Sequence, residues 1–478
     1  MKNTISWASS LALSTLVALL PLASCQKETR LADQSTTPQT ITRTIAAEAE
    51  AIESPAETKS VYEPGVGVHL TNSEYMSVFY ASNDGDETIA SMTGILGTPD
   101  GTGKWSFSHS ATTGTTYDYA FLLPHTLKNE MPSNKSQFKI RLYNVQYPTV
   151  TSFDPNMDFL LGKTQLGVSS ATSVNNVTFK RLFAPVKVEI YDNANILGTE
   201  KVHAVTFSLS KTATNTDALA GLVYVTPGTD DYDSAGAIKF GTDNNNSVKA
   251  NNFSNAVSAL NASGIEKTDG KWSVWYIMNP MEIPSGTNLT LTVTTDTKTV
   301  TRTVALTSAK AIERNKINRI KFDISGDGYS TETSAYCDFS AMSKADLSDL
   351  TASDGTSPLS AVGSSVWKDS GNSNYPQALR LANDNSINGV ITITPAANKT
   401  LSKIRVYTHP VIGFSSSKLA LNADGTAMTT KNVVYAEATA TAGYLEFDVD
   451  ADNANSTLTL SREGGNNSWL SGITLFYK

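Results

Sequence analysis

VTFKRLFAPVKVEIY (residues 177–191) and KVHAVTFSLS (201–210) decide the fold class of this chain. In the first, Val186, Val188 and Ile190 alternate with Lys187 and Glu189, the period-two pattern of a strand that turns one face to a core. Runs of the same kind follow: AGLVYVTP (220–227), AIKFGT (237–242), KWSVWYIMNPMEI (271–283), NLTLTVTT (288–295), TVTRTVALT (299–307) and NKINRIKFDIS (315–325). Upstream lie VGVHLT (66–71), EYMSVFYA (74–81), KWSFSH (104–109), TYDYAFLL (116–123) and QFKIRLYNVQY (137–147). Asn83-Asp84-Gly85-Asp86 and Pro99-Asp100-Gly101 read as turns, because Gly accepts positive φ and Asn or Asp bonds its own backbone. The composition resets after Ser325-Gly326-Asp327-Gly328, and a further series of short strands runs from SSVWKD (364–369) through SKIRVYTH (402–409) and GYLEFDVD (443–450) to SGITLFYK (471–478). Two short segments read as helical instead: VSALNASG (257–264) and a turn over 344–350.

A chain of 478 residues exceeds one ordinary domain, at about 150 residues each. The runs divide it into a leader (1–24), a tether (25–60), a first β-sandwich lobe (61–175), a second (176–326) and a C-terminal jelly-roll-like β-sandwich (327–478), so the fold class is all-β. The tether carries no aromatic residue and no sustained apolar periodicity, so it cannot bury enough surface to order itself alone.

The leader has the parts of a secretory signal: Lys2, an apolar run over 11–20, and the small residues of Leu22-Ala23-Ser24-Cys25. Its apolar stretch is shorter than the roughly 20 residues a membrane-spanning helix needs. Leu22 to Cys25 is similar to the bacterial lipoprotein pattern, in which the thiol of Cys25 is acylated and the preceding segment removed. That resemblance implies an outer-membrane lipoprotein exposed at the cell surface. With Cys25 consumed by lipid, Cys337 has no partner for a disulfide and reads as a small buried hydrophobe.

A net charge of -8 without a basic patch argues against nucleic acid, which needs clustered Lys and Arg to release counterions. The five histidines, His69, His109, His125, His203 and His409, lie at no ligand spacing, so no metal centre is expected. The stretch from Asp448 to Asn453 is a poor calcium loop, with Asn453 where the turn needs Gly and Thr459 where the ion needs Glu. No Gly-x-Ser-x-Gly elbow, P-loop or other catalytic motif is present, and nothing calls for a cofactor, so the sequence reads as that of a non-enzyme. Sugar binding has more support. Trp367, Tyr375, Tyr407 and Trp469 sit near strand ends of the C-terminal unit, with Arg380, His409, Asn466 and Asn467 as hydrogen-bonding companions. Trp469 falls in GGNNSWLSG, a loop-like setting able to display its indole.

The stretches at 177–191 and 203–210, with WYIMNPMEIPSGTNLTLTV (275–293) and TRTVALTSAKAIERNKINRIKFDIS (301–325), resemble the fimbrillin family, the lipoprotein-derived subunits of Bacteroidetes type V pili. The resemblance covers about residues 60–325. It implies two stacked transthyretin-like lobes, cleavage by a trypsin-like protease in the N-terminal segment, loss of the first strand, and filling of the groove by a strand from another fimbrial subunit. Of the basic residues in the tether, Arg43, with apolar flanks in TITRTIAA, is the first candidate for cleavage, ahead of Arg30 and Lys59. A stalk subunit needs a free C-terminal donor strand, whereas 470–477 alternates like a strand closing its own sandwich. The implied role is a fimbrial tip subunit for cell adhesion, its C-terminal unit contacting a surface glycan or protein. The rivals are a non-polymerising surface lipoprotein that binds carbohydrate and a pilus anchor subunit. Asp233-Ser234-Ala235 also resembles an O-glycosylation acceptor of exported Bacteroidetes proteins, at Ser234.

Overall fold

The computed structural model describes residues 38–49, 75–83, 93–125, 138–171, 174, 176–210, 218–225, 238–240, 253–340, 342, 347, 350–355, 358–362, 364–367, 377–381, 383–384, 387–409, 417–433, 443–463 and 468–478. Among them the protein is all-β, with a short 3-10 turn at Pro155–Met157. The N-terminal strands are β1 (Gln39–Ala49), β2 (Met76–Asn83), β3 (Thr93–Pro99), β4 (Lys104–Ala111), β5 (Thr116–Leu123), β6 (Phe138–Leu142), β7 (Val145–Gln146), β8 (Leu160–Ser169) and β9 (Val177–Arg181). Seven of these close into a barrel in the order β1-β4-β3-β2-β5-β8-β9. Its interior is aromatic, with Trp105, Phe107, Tyr119, Phe121 and Phe179 buried together. Gly162 of β8 lets the strands approach: a Cβ there would lie 2.6 Å from Val177 and 2.9 Å from Phe121. β5 is buried on both faces, Tyr117, Tyr119 and Phe121 lining the barrel while Ala120 and Leu122 join the next core.

That next core is built from β10 (Ala184–Tyr191), β11 (Val202–Leu209), β12 (Ala220–Val225), β13 (Ile238–Phe240), β14 (Phe253–Ser254), β15 (Ala256–Ile265), β16 (Lys271–Met278), β17 (Met281–Ile283), β18 (Asn288–Thr295), β19 (Lys298–Ala305), β20 (Lys310–Ile312) and β21 (Asn318–Asp323). Val186, Val188 and Ile190 face inward against Trp272, Val274 and Tyr276, as their alternation demands. The two lobes interlock: β6 pairs with β12 and β7 with β15, while β9 returns to the barrel. The helix expected over 257–264 is instead β15. Ala256 to Leu260 match Ser208 to Ala204 of β11 residue for residue, and a buried edge satisfied by that ladder outweighs the local helix preference of Ala and Leu.

The C-terminal unit comprises β22 (Ser330–Asp338), β23 (Leu350–Thr351), β24 (Pro358–Val362), β25 (Ser364–Trp367), β26 (Ala378–Leu381), β27 (Asn383–Asp384), β28 (Ile387–Asn388), β29 (Val390–Ile393), β30 (Leu401–Thr408), β31 (Ser417–Ala423), β32 (Thr426–Val433), β33 (Tyr444–Asp448), β34 (Leu458–Glu463) and β35 (Ser468–Tyr477). A six-stranded sheet, β23-β24-β29-β34-β31-β32, and the sheet holding β22, β26, β30, β33 and β35 share one core of Phe339, Ile391, Leu419, Phe447, Leu458 and Leu475. β35 is buried along its whole length and pairs with β22, β26 and β30, so 470–477 does close its own sandwich. The junction with the second lobe is a continuous sheet, because Lys298 to Thr301 of β19 pair with Thr333 to Ser330 of β22. Of the helical turn expected over 344–350, positions 344–346 and 348–349 lie outside the described residues, Leu347 is in a 3-10 conformation and Leu350 begins β23.

One buried ion pair fixes the barrel to the second lobe. Arg181, fully buried at the end of β9, donates through Nε (2.5 Å) and Nη2 (2.7 Å) to the carboxylate of Asp158, and through Nη1 to Asn315 Oδ1 at 2.8 Å. Asn315 sits in the β20 to β21 turn with φ of 56°, where its short polar side chain makes the left-handed backbone tolerable. Asp158→Ala strands a buried guanidinium and is expected to lower the urea-unfolding free energy by about 3–5 kcal/mol, most of it recovered in the double variant Asp158→Leu, Arg181→Met.

Candidate strand-exchange site

β1 is the strand whose seat has chemistry. Gln39 to Ala46 run antiparallel to Ala111 to Lys104 of β4, and only Ala47, Glu48 and Ala49 reach β9, in parallel with Val177, Thr178 and Phe179. Its residues alternate in character. Ile41, Arg43, Ile45 and Ala47 turn towards the barrel interior, while the hydroxyls of Thr42 and Thr44 pair outside with Ser108 (2.8 Å) and Ser106 (2.9 Å). The segment expected to be a tether is therefore a strand over 39–49. It gains order from the ladders of β4 and β9, which the tether sequence could not reveal.

Arg43 is the anomaly of this face, a cation only 5% exposed inside an aromatic barrel. Its Nη2 donates to the Ser169 carbonyl at 2.9 Å, and its guanidinium carbon lies 5.3 Å from the Tyr119 ring centre. Beside it stand His109 and Tyr119, and His109 packs tilted against Tyr80 (ring centres 4.1 Å apart) and edge to face with Tyr117 (5.0 Å). Neutral His109 donates from Nδ1 to the Ser110 carbonyl (2.9 Å) and accepts the Tyr119 hydroxyl at Nε2 (2.7 Å). Burial, and then the Arg43 charge, hold the His109 imidazole below its ordinary pKa. Burial pushes the Tyr119 phenol up to about 12. The box thus presents ring faces and a carbonyl to Arg43, an environment suited to a cation.

The other sequence candidates are not brought together. Cys25, Arg30, Lys59, Ser234, Tyr375, Asn466 and Asn467 lie outside the described residues. Trp367 ends β25. Tyr407 is fully buried with Tyr336 and Tyr444 in a cluster between the second lobe and the C-terminal unit. Trp469 is in β35 rather than on a displaying loop; it is 9% exposed and belongs to the C-terminal core. The physical reason is β35 itself, whose first residues already pair with β26, Arg380 opposite Trp469. His409 is buried beside it and donates its backbone N–H to the Trp469 carbonyl at 2.9 Å. Tyr407 and Trp469 are therefore buried side chains rather than displayed ones. Cys337 is buried as expected, and burial pushes its thiol up to about 12, so it is inert. Asp450 accepts from Asn453 N (2.9 Å) and Nδ2 (2.8 Å), closing a turn after β33.

No family model matches this sequence, and no curated protein matches it. Among solved structures, a "putative cell adhesion protein" of Bacteroides ovatus is similar at 12% identity and TM-score 0.36, over 61% of this chain and 96% of that one. A second "putative cell adhesion protein", from Bacteroides uniformis, has 11% identity and TM-score 0.34, over 61% and 98%. The tip fimbrial protein Mfa3 of Porphyromonas gingivalis, with C-terminal truncation, has 10% identity and TM-score 0.28, over 62% and 98%. At these scores the likeness is loose, and function has to be argued from this chain's own residues.

Two outcomes follow from the geometry. The unfolded chain binds a proton on His109 below its ordinary pKa of 6.5, while the folded barrel resists it, so the stability that His109 contributes is lost as pH falls below about 6.5. Because His109 faces Arg43, Tyr80, Tyr117 and Tyr119, acidification from pH 7.5 to 5.5 should reduce hydrogen-exchange protection of β1, and His109→Gln should flatten that dependence. Trp469→Ala should destabilise the C-terminal unit by about 3–5 kcal/mol in denaturant titration, as loss of a core indole does.

Proposed function

We propose that this chain is a subunit of bacterial surface fimbriae, delivered as a lipoprotein through Cys25, matured by proteolysis and assembled by strand exchange at the β1 seat. The observation that carries this reading is β1 itself: an N-terminal strand, tied to β9 by three residue pairs, that holds an arginine within the barrel. Cleavage after Arg43 releases 39–43 from their partners 111–107 on β4 and vacates the inward places of Ile41 and Arg43. The remaining 44–49 keep their pairing with 106–104 and with β9. A strand from a neighbouring subunit then completes the ladder, with main-chain hydrogen bonds for affinity and alternate side chains for fit. Because the Arg43 backbone is paired and its side chain buried, a trypsin-like protease acts on it only while β1 is undocked.

At the other end, β35 is committed to the middle of a sheet and is not available as a donor. A subunit that accepts a strand without donating β35 belongs at the fibre tip, where the unit over 327–478 meets a glycan or protein of another surface. The division into 61–175, 176–326 and 327–478 belongs to the same proposal, the first two units serving assembly and the third contact.

N-terminal sequencing of protein sheared from the cell surface is the test. A mature chain beginning at Thr44, without lipid and located at filament ends by immunogold labelling, is the expected result. A surface form that begins at lipidated Cys25 and never occurs in filaments overturns the proposal and leaves an anchor or a non-polymerising carbohydrate-binding lipoprotein.

A further inference from the structure

Once Arg43 leaves, its seat does not become an ordinary apolar pocket. The Ser169 carbonyl that accepted Nη2 at 2.9 Å remains, together with the Tyr119 ring that the guanidinium overlay. Tyr119 has spent its hydroxyl on His109 Nε2, and His109 Nδ1 is turned to Ser110, so neither offers a donor towards the vacated place. Tyr80 and Tyr117 pack their rings against His109 and add further π faces. The carboxylate of Asp118, next to Tyr119 in β5, accepts from Gly167 N at 2.7 Å on the opposite face of the strand. The seat is thus lined by acceptors and π faces, flanked along the same groove by the places of Ile41 and Ile45.

Extending the strand-exchange reading above, on which it rests, we propose that this seat selects its donor: the incoming strand of a neighbouring fimbrial subunit carries Arg or Lys in the register of Arg43. An aliphatic side chain stands two residues before that cation, in the place of Ile41, and a hydroxyl side chain, in the manner of Thr42, occupies the outward position beside Ser108, next to the retained Thr44 and Ile45. An aliphatic residue in the cation's place leaves the part-buried Ser169 carbonyl without the donor that Arg43 gives it. A carboxylate there faces a carbonyl oxygen and the negative faces of the rings. The arginine that a protease reads when β1 is undocked is thus also the residue by which the docked seat recognises an occupant, so a single side chain is both latch and template.

The test uses the full chain in two arms. In the first, Arg43→Lys, Arg43→Met and Arg43→Glu are made in place, and hydrogen exchange over 39–46 is followed by mass spectrometry, with the second lobe as the internal control for folding. Lys should retain most of the protection, Met should lose about tenfold or more, and Glu about a hundredfold or more. Equal protection with Met and Arg overturns the cation preference. In the second arm, labelled peptides of sequence QTITR, and the same peptide carrying Arg43→Met or Arg43→Glu, are offered in excess to the full chain after cleavage at Arg43. Entry of the native peptide with about tenfold discrimination against the Met form supports the proposal. Equal entry of all three overturns the selection while leaving strand exchange standing. Failure of every peptide to enter overturns strand exchange itself, whatever order the first arm gives.

Discussion

Three backbone pairs, Ala47 with Val177, Glu48 with Thr178 and Ala49 with Phe179, close the N-terminal barrel. Every other joint of that barrel is longer or is made by strands adjacent in sequence, so this short parallel contact is where the closed path is weakest. β1 compensates with its side chains, sealing the interior with Ile45 and placing Arg43 over Tyr119. The closure of the aromatic core and the interior position of the basic residue both depend on that one strand.

The rest of the molecule gives β1 a rigid frame. Arg181, paired with Asp158, ties the end of β9 to Asn315 in the second lobe and so anchors the edge that β1 meets. Beyond the second lobe, pairing of β19 with β22 carries the sheet into the C-terminal unit. Tyr147, Tyr336, Tyr407 and Tyr444 cluster at that boundary, and His203 stacks 5.6 Å from Tyr336 while its Nε2 meets Asp296 at 2.8 Å. Burial raises the Tyr147 and Tyr336 phenols well above their ordinary values, so they stay neutral at this interface. A fused sheet with a buried aromatic seam joins the units without a hinge of free linker.

Much of this was legible in local pattern. Alternation in 184–191 and 288–295 placed their apolar faces correctly, because strand periodicity needs no knowledge of neighbours. The members of the aromatic box share that legibility in part: Phe107 with His109, and Tyr117 with Tyr119, are spaced by two and so had to share a face. What the spacing could not say is that both faces meet β1. The misreadings have the same origin. Ala256 to Leu260 looked helical and the segment at 39–49 looked unstructured, because each is ordered by a partner strand far away in sequence. Trp469 looked displayed because its Gly and Asn neighbours suggest a loop, yet the indole belongs to the strand that follows.

By itself, the sequence determined that the chain is all-β, that its interior is built from alternating strands rather than disulfides, and that it begins with a segment resembling a lipoprotein leader. Those features depend on residue identity and spacing over ten residues or fewer. Only the tertiary structure decided that Arg43 is an interior residue, that β35 is committed to its own sheet, and that Tyr407 and Trp469 are buried, the first in the aromatic cluster at the boundary and the second in the C-terminal core. Each of these depends on which strands pair across long separations, and strand pairing is a property of complementary edges and shared burial, not of any single segment.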